Sequence, residues 1–206
     1  MSDPLPTAVF LSGGGRTLDN LIRRQQTGDL PTEIRLVISS RGSARGVEIA
    51  RQAGLPTRVI RPADHPDPRD YSEAMFDPCR RAGARLVVMA GFLRHVLIPP
   101  DFQDRVLNIH PSLLPRFGGA GMYGHHVHEA VIRAGETESG CTVHLVDNEY
   151  DHGPVLHQRR CPVAPDDTPE TLAARVFRLE CEALPEAIRN FVAVADAAPD
   201  GAADQA

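Results

Sequence analysis

The sequence predicts an α/β fold in which helices flank a mostly parallel sheet, followed by an antiparallel strand pair and a long C-terminal helix. Short apolar runs alternate with segments of helical periodicity through residues 7–90, and glycines often close a segment. Such alternation is typical of βαβ units, whose strands are parallel and whose crossovers are right-handed. Two further apolar segments, joined by a short turn at 151–154, predict the strand pair.

The first half of the chain contains four predicted strands and three predicted helices. Residues 7–12 form a short apolar run that ends in glycines, as expected of a buried first strand. Leu18, Leu21 and Ile22 share one helical face, and Gly28 ends that helix. The predicted strands are 7–12, 33–39, 57–60 and 85–90, the predicted helices are 18–26, 44–53 and 71–82, and 61–68 is a proline-rich loop.

The second half is less regular. Four glycines within residues 115–124 predict a loop, and Pro185 predicts a break or kink in the last helix. The end of the chain is small and polar, so we expect one domain over 1–195 and a disordered tail over 196–206. The remaining predicted elements are strands at 105–109, 142–146 and 155–163 and helices at 126–134 and 168–194.

The composition excludes several classes of protein. The chain has 206 residues, 42% hydrophobic and 24% charged, which fits one globular domain. A formal net charge of -5 does not favour general nucleic-acid binding. No apolar run approaches the roughly 18 residues that cross a bilayer, so no membrane association is expected. Four cysteines without a CxxC pair, and no recognisable signal peptide, predict a reduced cytoplasmic setting.

Glycines at 13–15 follow the first predicted strand and precede the first predicted helix. Ligands of parallel α/β sheets gather at the carboxyl ends of the strands, and a glycine loop at a helix N-terminus offers several N–H groups to an anion. Ser12-Gly13-Gly14-Gly15-Arg16-Thr17 is therefore a candidate phosphate loop, although it matches neither a Walker A loop nor a dinucleotide fingerprint. A plain tight turn is the alternative.

Asn108 and His110 lie two residues apart in a predicted strand, within the string NIHPSLLP. Side chains alternate along a strand, so both are expected to point to the same side. An amide and an imidazolium can both donate to an oxyanion, and imidazole suits proton transfer near neutrality. A histidine that makes only a structural hydrogen bond is the alternative.

Asp151 lies in the predicted turn between the two strands of the pair. A carboxylate there could orient His110 and stabilise its charged form, although an Asp before Gly-Pro is commonly a turn residue. The histidines at 125, 126, 128, 144, 152 and 157 match no HExxH or zinc-ribbon spacing. We therefore predict no metal site.

Four segments, read in order, resemble the folate-dependent formyltransferase family. They are Gly91-Phe92-Leu93-Arg94, NIHPSLLP at 108–115, Gly140-Cys141-Thr142-Val143-His144 and Asp151-His152-Gly153-Pro154. The match extends over about 7 to 190 and implies a Rossmann-like sheet. It also implies 10-formyltetrahydrofolate as formyl donor, the glycyl amine of phosphoribosylglycinamide as acceptor, and a role in purine biosynthesis. A monomer or weak homodimer without metal is expected.

The resemblance also assigns roles to individual residues. Asn108 and His110 would stabilise the tetrahedral oxyanion, and Asp151 would support His110 and help move protons. Glu180 would hold the ribose hydroxyls of the acceptor. The segment 147–151 would close over the pterin ring. The implied phosphate-binding residues are Gly13, Gly14, Gly15, Arg16 and Thr17, and the implied folate-binding residues are Arg94, His95, Val96, Asp147 and Asn148.

Three departures from the family pattern concern the acceptor more than the reaction. The phosphate loop reads SGGGRT where the family often has SGNGSN, the glycine-rich stretch 117–123 is longer, and His152 replaces a second glycine. Other hypotheses remain open. They are a methionyl-tRNA formyltransferase, a formyltetrahydrofolate hydrolase, a formyltransferase for a sugar amine, a folate- or nucleotide-binding module without activity, and a zinc hydrolase.

Overall fold

The computed structural model describes residues 3–197, which form one seven-stranded sheet with helices on both faces. The sheet order is β3-β2-β1-β4-β5-β6-β7. The strands are β1 Leu5–Leu11, β2 Thr32–Ser39, β3 Thr57–Val59, β4 Leu86–Met89, β5 Val106–His110, β6 Glu138–Leu145 and β7 Val155–Pro162. The helices are α1 Arg16–Gln26, α2 Arg45–Gln52, α3 Pro68–Arg81, α4 His125–Arg133 and α5 Pro169–Ala197.

The predicted fold class is confirmed. Strands β1 to β5 pair in parallel, while β6 runs antiparallel to both β5 and β7. The strand order changes direction at β1, which has β2 on one side and β4 on the other. In open α/β sheets this switch point leaves a crevice at the carboxyl ends of the strands.

Both faces of the central sheet are buried, as is usual for parallel strands. Along β1, Val9 and Leu11 belong to the core beneath α1, α2 and α5, whereas Ala8 and Phe10 belong to the core beneath α3. This alternation follows from the two-residue period of a strand. A sheet buried on both faces is a rigid support for the loops at its edge.

Pro185 does not break the last helix, and that part of the prediction was wrong. A proline inside a helix leaves the carbonyl four residues earlier without its usual donor, here that of Cys181. Asn20 Nδ2 and Arg24 Nη2 of α1 donate to that carbonyl at 3.0 and 3.2 Å. Because α1 replaces the missing bond, α5 continues through Pro185.

Other boundaries differ from the predictions by a few residues. Strand β6 begins at Glu138, four residues before the predicted start, and the loop at 61–68 contains a short 3₁₀ turn at Pro62–Asp64. The predicted tail begins at 196, but α5 extends to Ala197, and 198–206 lie outside the described residues. Within 3–197, no helix combines the length and apolar character needed to cross a membrane.

Candidate active site

A cavity of about 580 Å³ lies at the carboxyl ends of β1, β4 and β5, at the switch point of the sheet. Its walls come from the loop after β1, the end of β5, the glycine-rich segment before α4, and the first half of α5. Eight of the residues predicted for the site line it. They are Gly14, Gly15, Arg16, Thr17, Asn108, His110, Asp151 and Glu180.

Asp151 lies at the centre of the polar groups in this cavity. Its Oδ2 is 3.4 Å from His110 Nδ1, and its Oδ1 is 3.5 Å from Asn108 Nδ2. Strand β5 supplies both partners from the same side, two residues apart. The His110 side chain is 4% exposed and that of Asp151 11%. The structure therefore brings the three predicted catalytic residues together in a pocket that largely buries His110 and Asp151.

His144 of β6 is a fourth member of this group. Its Nδ1 is 2.8 Å from the carbonyl of Leu145, which can only accept, so Nδ1 carries a proton. In the neutral ring Nε2 then accepts the amide N–H of Asn108, at 3.1 Å. This contact fixes the orientation of the Asn108 amide, so that its nitrogen rather than its oxygen faces Asp151.

The charge state of Asp151 follows from these neighbours. Burial opposes ionisation, but the hydrogen bond and the positive charge of His110 outweigh it and hold the pKa of Asp151 well below its usual value. Gly119 N–H donates to Oδ2 at 3.0 Å and adds to the effect. Asp151 is therefore a carboxylate at neutral pH and an acceptor only.

The candidate phosphate loop is held by one close backbone approach and two hydrogen bonds. Gly15 has a positive φ of 73°, and a Cβ there would lie 2.4 Å from the Gly46 Cα at the start of α2. Ser12 Oγ accepts the N–H of Leu93 at 2.9 Å and shares a hydrogen bond of 2.7 Å with Ser40 Oγ. These contacts tie the loop to the ends of β2 and β4. Gly13 belongs to the loop but does not line the cavity.

Arg16 of α1 and Glu180 of α5 both line the cavity. The Arg16 guanidinium lies 4.0 Å from the centre of the Phe177 ring, in a cation–π arrangement. Burial raises the pKa of the Glu180 carboxyl to about 7, against the opposing charges of Arg16 and His110. A cationic group and a carboxyl poised near neutrality therefore stand on the same side of the site.

The predicted folate-binding residues form a second group beside the cavity. His95 Nε2 donates to the carbonyl of Asn148 at 3.0 Å, and the N–H of Ile98 donates to Asn148 Oδ1 at 2.8 Å. The structure thus brings segments 94–96 and 147–148 together. Arg94, His95, Val96, Asp147 and Asn148 do not themselves line the cavity, but their neighbours Leu93 and Tyr150 do.

Sequence reasoning gave no role to His128, His144 or Phe177. His144 lies in the segment 140–144 that resembles the family, and this position was the one indication in the sequence that it belongs to the site. His128 lines the cavity from α4, is 4% exposed, and leaves its Nδ1 buried without a hydrogen-bond partner. Phe177 carries no sequence signal, because its contact with Arg16 joins residues far apart in the chain.

The histidines are dispersed rather than clustered. His125 faces Glu170 at 3.6 Å, His152 faces Asp147 at 2.8 Å, and His157 faces Glu186 at 3.4 Å. In the part of the chain that the structure covers, no group of three His, Cys, Asp or Glu side chains is placed to hold a metal ion.

An amide, a histidine and an ionised carboxylate meet at the switch point of the sheet, an arrangement suited to group-transfer chemistry. The sequence model of the formyl transferase family matches residues 6–188, so the chain belongs to that family.

Individual relatives narrow the comparison. The chain is 40% identical over 179 residues to the chloroplastic phosphoribosylglycinamide formyltransferase of Arabidopsis thaliana, covering 84% of this chain and 60% of that protein. It is 34% identical over 188 residues to phosphoribosylglycinamide formyltransferase of Haemophilus influenzae, covering 89% and 85%. The chain thus spans little more than half the length of the plant relatives it matches, 56% for that of Vigna unguiculata.

Solved structures agree with these relatives. Glycinamide ribonucleotide transformylase 1 of Symbiobacterium toebii superposes with a TM-score of 0.86 at 34% identity, covering 93% of this chain and 89% of that one. Phosphoribosylglycinamide formyltransferase of Coxiella burnetii gives a TM-score of 0.84 at 40% identity, covering 92% and 88%.

Proposed function

We propose that this chain transfers the formyl group of 10-formyltetrahydrofolate to the glycyl amine of phosphoribosylglycinamide, a step of purine biosynthesis. The observation that carries the proposal is the convergence of Asn108, His110 and Asp151 on one cavity. The glycine loop and Glu180 line the same cavity and suit a phosphoribosyl group. Relatives with this activity in their names, which match most of the chain, support it.

The transfer requires that the proton lost by the acceptor amine reach the leaving nitrogen of the folate. The acceptor amine attacks the formyl carbon, a C–N bond forms, and the formyl oxygen becomes an oxyanion. Asn108 and the protonated imidazole of His110 donate hydrogen bonds to that oxygen. The bond from the carbon to N10 of the folate then breaks, and the proton lost by the amine ends on N10. Asp151, an ionised acceptor beside His110, assists that transfer.

The acceptor would extend from the reaction centre along α5. In this proposal the N–H groups of the loop Gly13–Thr17 bind the 5′-phosphate at the start of α1, and the Arg16 guanidinium adds positive charge. Glu180 would bind the ribose hydroxyls. Its carboxyl can donate when protonated and accept when ionised, and its pKa of about 7 makes both forms available.

The folate donor would enter from the other side. The backbone of Arg94, His95 and Val96 would recognise the pterin ring, and the turn with Asp147 and Asn148 would cover it. The hydrogen bonds between His95, Ile98 and Asn148 support this assignment, because they hold the two segments together beside the reaction centre. We further propose a cytoplasmic protein, monomeric or weakly dimeric, that works without a metal.

The direct test mixes the purified chain with 10-formyltetrahydrofolate and phosphoribosylglycinamide and follows loss of the donor by absorbance. Donor loss that requires both the acceptor and His110 supports the proposal. Loss without acceptor indicates a hydrolase. No loss with this acceptor, but turnover with another amine, would assign a different acceptor and direct attention to Gly14–Thr17.

Asn108→Ala and His110→Ala should each lower kcat by roughly 100- to 1000-fold, the usual cost of one lost oxyanion donor. His126→Ala is a matched control, because His126 is exposed and does not line the cavity. Steady-state kinetics at saturating donor would show the difference. Full activity in Asn108→Ala would remove that residue from the mechanism.

A further inference from the structure

The glycine-rich segment Phe117–Gly119 lies directly against His110 and Asp151, which we call the catalytic pair. The carbonyl of Phe117 is 2.8 Å from His110 Nε2, and the N–H of Gly119 is 3.0 Å from Asp151 Oδ2. Both contacts are made by backbone atoms, so they do not depend on which side chains the segment carries. One short segment therefore contacts both His110 and Asp151.

We infer that Phe117–Gly119 is a positioning element that assigns the two nitrogens of His110, an inference that rests on the proposed formyl transfer. A carbonyl oxygen accepts and never donates, so Nε2 must carry a proton. Nδ1 lies 3.4 Å from the Asp151 carboxylate, which only accepts, so the ring that donates to both partners is the imidazolium. Because Nε2 is committed to the Phe117 carbonyl, Nδ1 is the nitrogen that serves the reaction.

The contacts of His110 with Phe117 and Asp151 each have a consequence for the proposed reaction. The Nδ1–H of the imidazolium is the donor that faces Asp151 and, once it forms, the oxyanion. The proton that the acceptor amine loses passes to N10 as the C–N10 bond breaks, assisted by Asp151. The Phe117 carbonyl and the Asp151 carboxylate then face opposite edges of the imidazolium, and both favour its charge. Without the Phe117 carbonyl, the neutral ring could carry its proton on either nitrogen.

The segment is held in place by contacts of its own. Ser112 Oγ donates to the carbonyl of Arg116 at 2.7 Å and also approaches that of Phe117, at 3.4 Å. Phe117 has a positive φ of 56°, which is unfavourable for a residue with a side chain. Strain of this kind persists where surrounding contacts impose it and is common at functional sites.

Gly118 shows how little space remains between the segment and the pair. A Cβ at Gly118 would lie 3.2 Å from Asp151 Cβ and 2.5 Å from Leu114 Cδ2. Its φ is outside the positive range, so an alanine there adds bulk without backbone strain. Gly118→Ala therefore displaces the segment or Asp151 and leaves every functional side chain present.

Steady-state kinetics of Gly118→Ala test the inference. A displacement of a fraction of an ångström to 1 Å at the reacting groups should lower kcat by about 10- to 100-fold. The KM values for donor and acceptor should stay within about threefold, because the phosphate loop and Glu180 are untouched. Ala120→Ser is the control, since Ala120 is exposed in the same loop and should keep wild-type kinetics.

Imidazole ¹⁵N NMR of His110 tests the assignment without substrate. The inference requires a protonated, hydrogen-bonded Nε2 in the wild type and a changed Nε2 signal in Gly118→Ala. Should Gly118→Ala fail to fold, Ser112→Ala replaces it, because it weakens the hold on the Phe117 carbonyl. An unprotonated Nε2 in the wild type overturns the inference, as does a folded variant with unchanged kcat. An inactive wild type with protonated Nε2 would overturn only the proposed reaction.

Discussion

Four side chains of the site come from two adjacent antiparallel strands and the turn that follows them. Asn108 and His110 lie on β5, His144 on β6, and Asp151 in the turn before β7. In the register of these strands Asn108 is directly opposite His144, which explains their 3.1 Å contact. A carbonyl fixes one nitrogen of each histidine, so the site has a defined pattern of donors before any substrate arrives.

His128 contrasts with the other buried histidines of the cavity because its Nδ1 lacks a partner. Burial, followed by the charges of His125 and His110, lowers the pKa of His128 to about 4. The unfolded chain binds this proton near pH 6.5, and the folded chain only near 4. The contribution of His128 to stability is therefore lost as pH falls through that window, by about 3 kcal/mol in total.

His128→Leu should remove this loss. Urea unfolding at pH 7, 5 and 4 should show a smaller fall in the free energy of unfolding for the variant than for the wild type. His126→Leu is the control, because His126 is exposed on the same helix. An equal fall in His128→Leu and wild type would mean that His128 does not remain neutral in the folded protein.

At the scale of elements, the placement of α5 matters most, because it supplies Phe177 and Glu180. Asp167, whose side chain is 4% exposed, anchors the start of the helix. It accepts from the N–H of Ala164 at 2.7 Å, from Thr171 Oγ1 at 2.7 Å and from Arg175 Nη2 at 2.9 Å. The backbone N–H groups of Thr168 and Thr171 each donate to the hydroxyl of the other residue, at 2.9 and 3.3 Å, but Asp167 makes the larger set of contacts.

Asp167→Ala should destabilise the fold by about 1–3 kcal/mol, because the N–H of Ala164 loses its acceptor and Arg175 keeps only the carbonyl of Pro162. Glu129→Ala removes an exposed ion pair with Arg133 and should cost about 0–1 kcal/mol. Thermal unfolding of the two variants measures the difference. Equal losses would show that the partly buried pair Asp167–Arg175 contributes no more to stability than an exposed ion pair.

The sequence predicted elements well where local pattern determines them. The strand–helix alternation and the glycine stops located every strand and helix within a few residues, because burial of a strand or a helical face leaves a periodic trace. Pro185 was misjudged because its compensation comes from α1, about 160 residues away in the chain. The start of β6 was placed too late for the related reason that pairing with β7 extends it.

The whole molecule assembles the site from segments that are distant in sequence. The residues predicted from NIHPSLLP and the Asp151 turn converge because β5 and β6 are neighbours in the sheet. The contacts of Phe117 and Gly119 with the catalytic pair could not be predicted, because backbone carbonyls and N–H groups leave no mark on a sequence. His128 and Phe177 were missed because a helical pattern does not distinguish a cavity wall from a core.

Proton binding by Glu180 and His128 makes the folding stability of the whole molecule depend on pH. Burial raises the pKa of Glu180 to about 7 from 4.5, so the folded chain holds this proton where the unfolded chain releases it. The resulting stability is present below pH 4.5 and is lost as pH rises through 7, the opposite direction to His128. Between about pH 4.5 and 6.5 the two effects offset each other in the wild type.

Glu180→Gln should therefore reveal the loss of stability that accompanies protonation of His128, because the opposing contribution of Glu180 is removed. Its free energy of unfolding should fall more steeply than that of the wild type from pH 6.5 to 4.5, and at pH 7.5 the variant should be more stable by up to about 3 kcal/mol. Glu182→Gln, exposed on the same helix and paired with Arg24, is the control. Identical pH dependence in Glu180→Gln and wild type would contradict the raised pKa. Glu180 lowers the stability of the fold at neutral pH and lies in the wall of the candidate site. A residue of this kind is expected where a group is kept for ligand binding at the expense of folding stability.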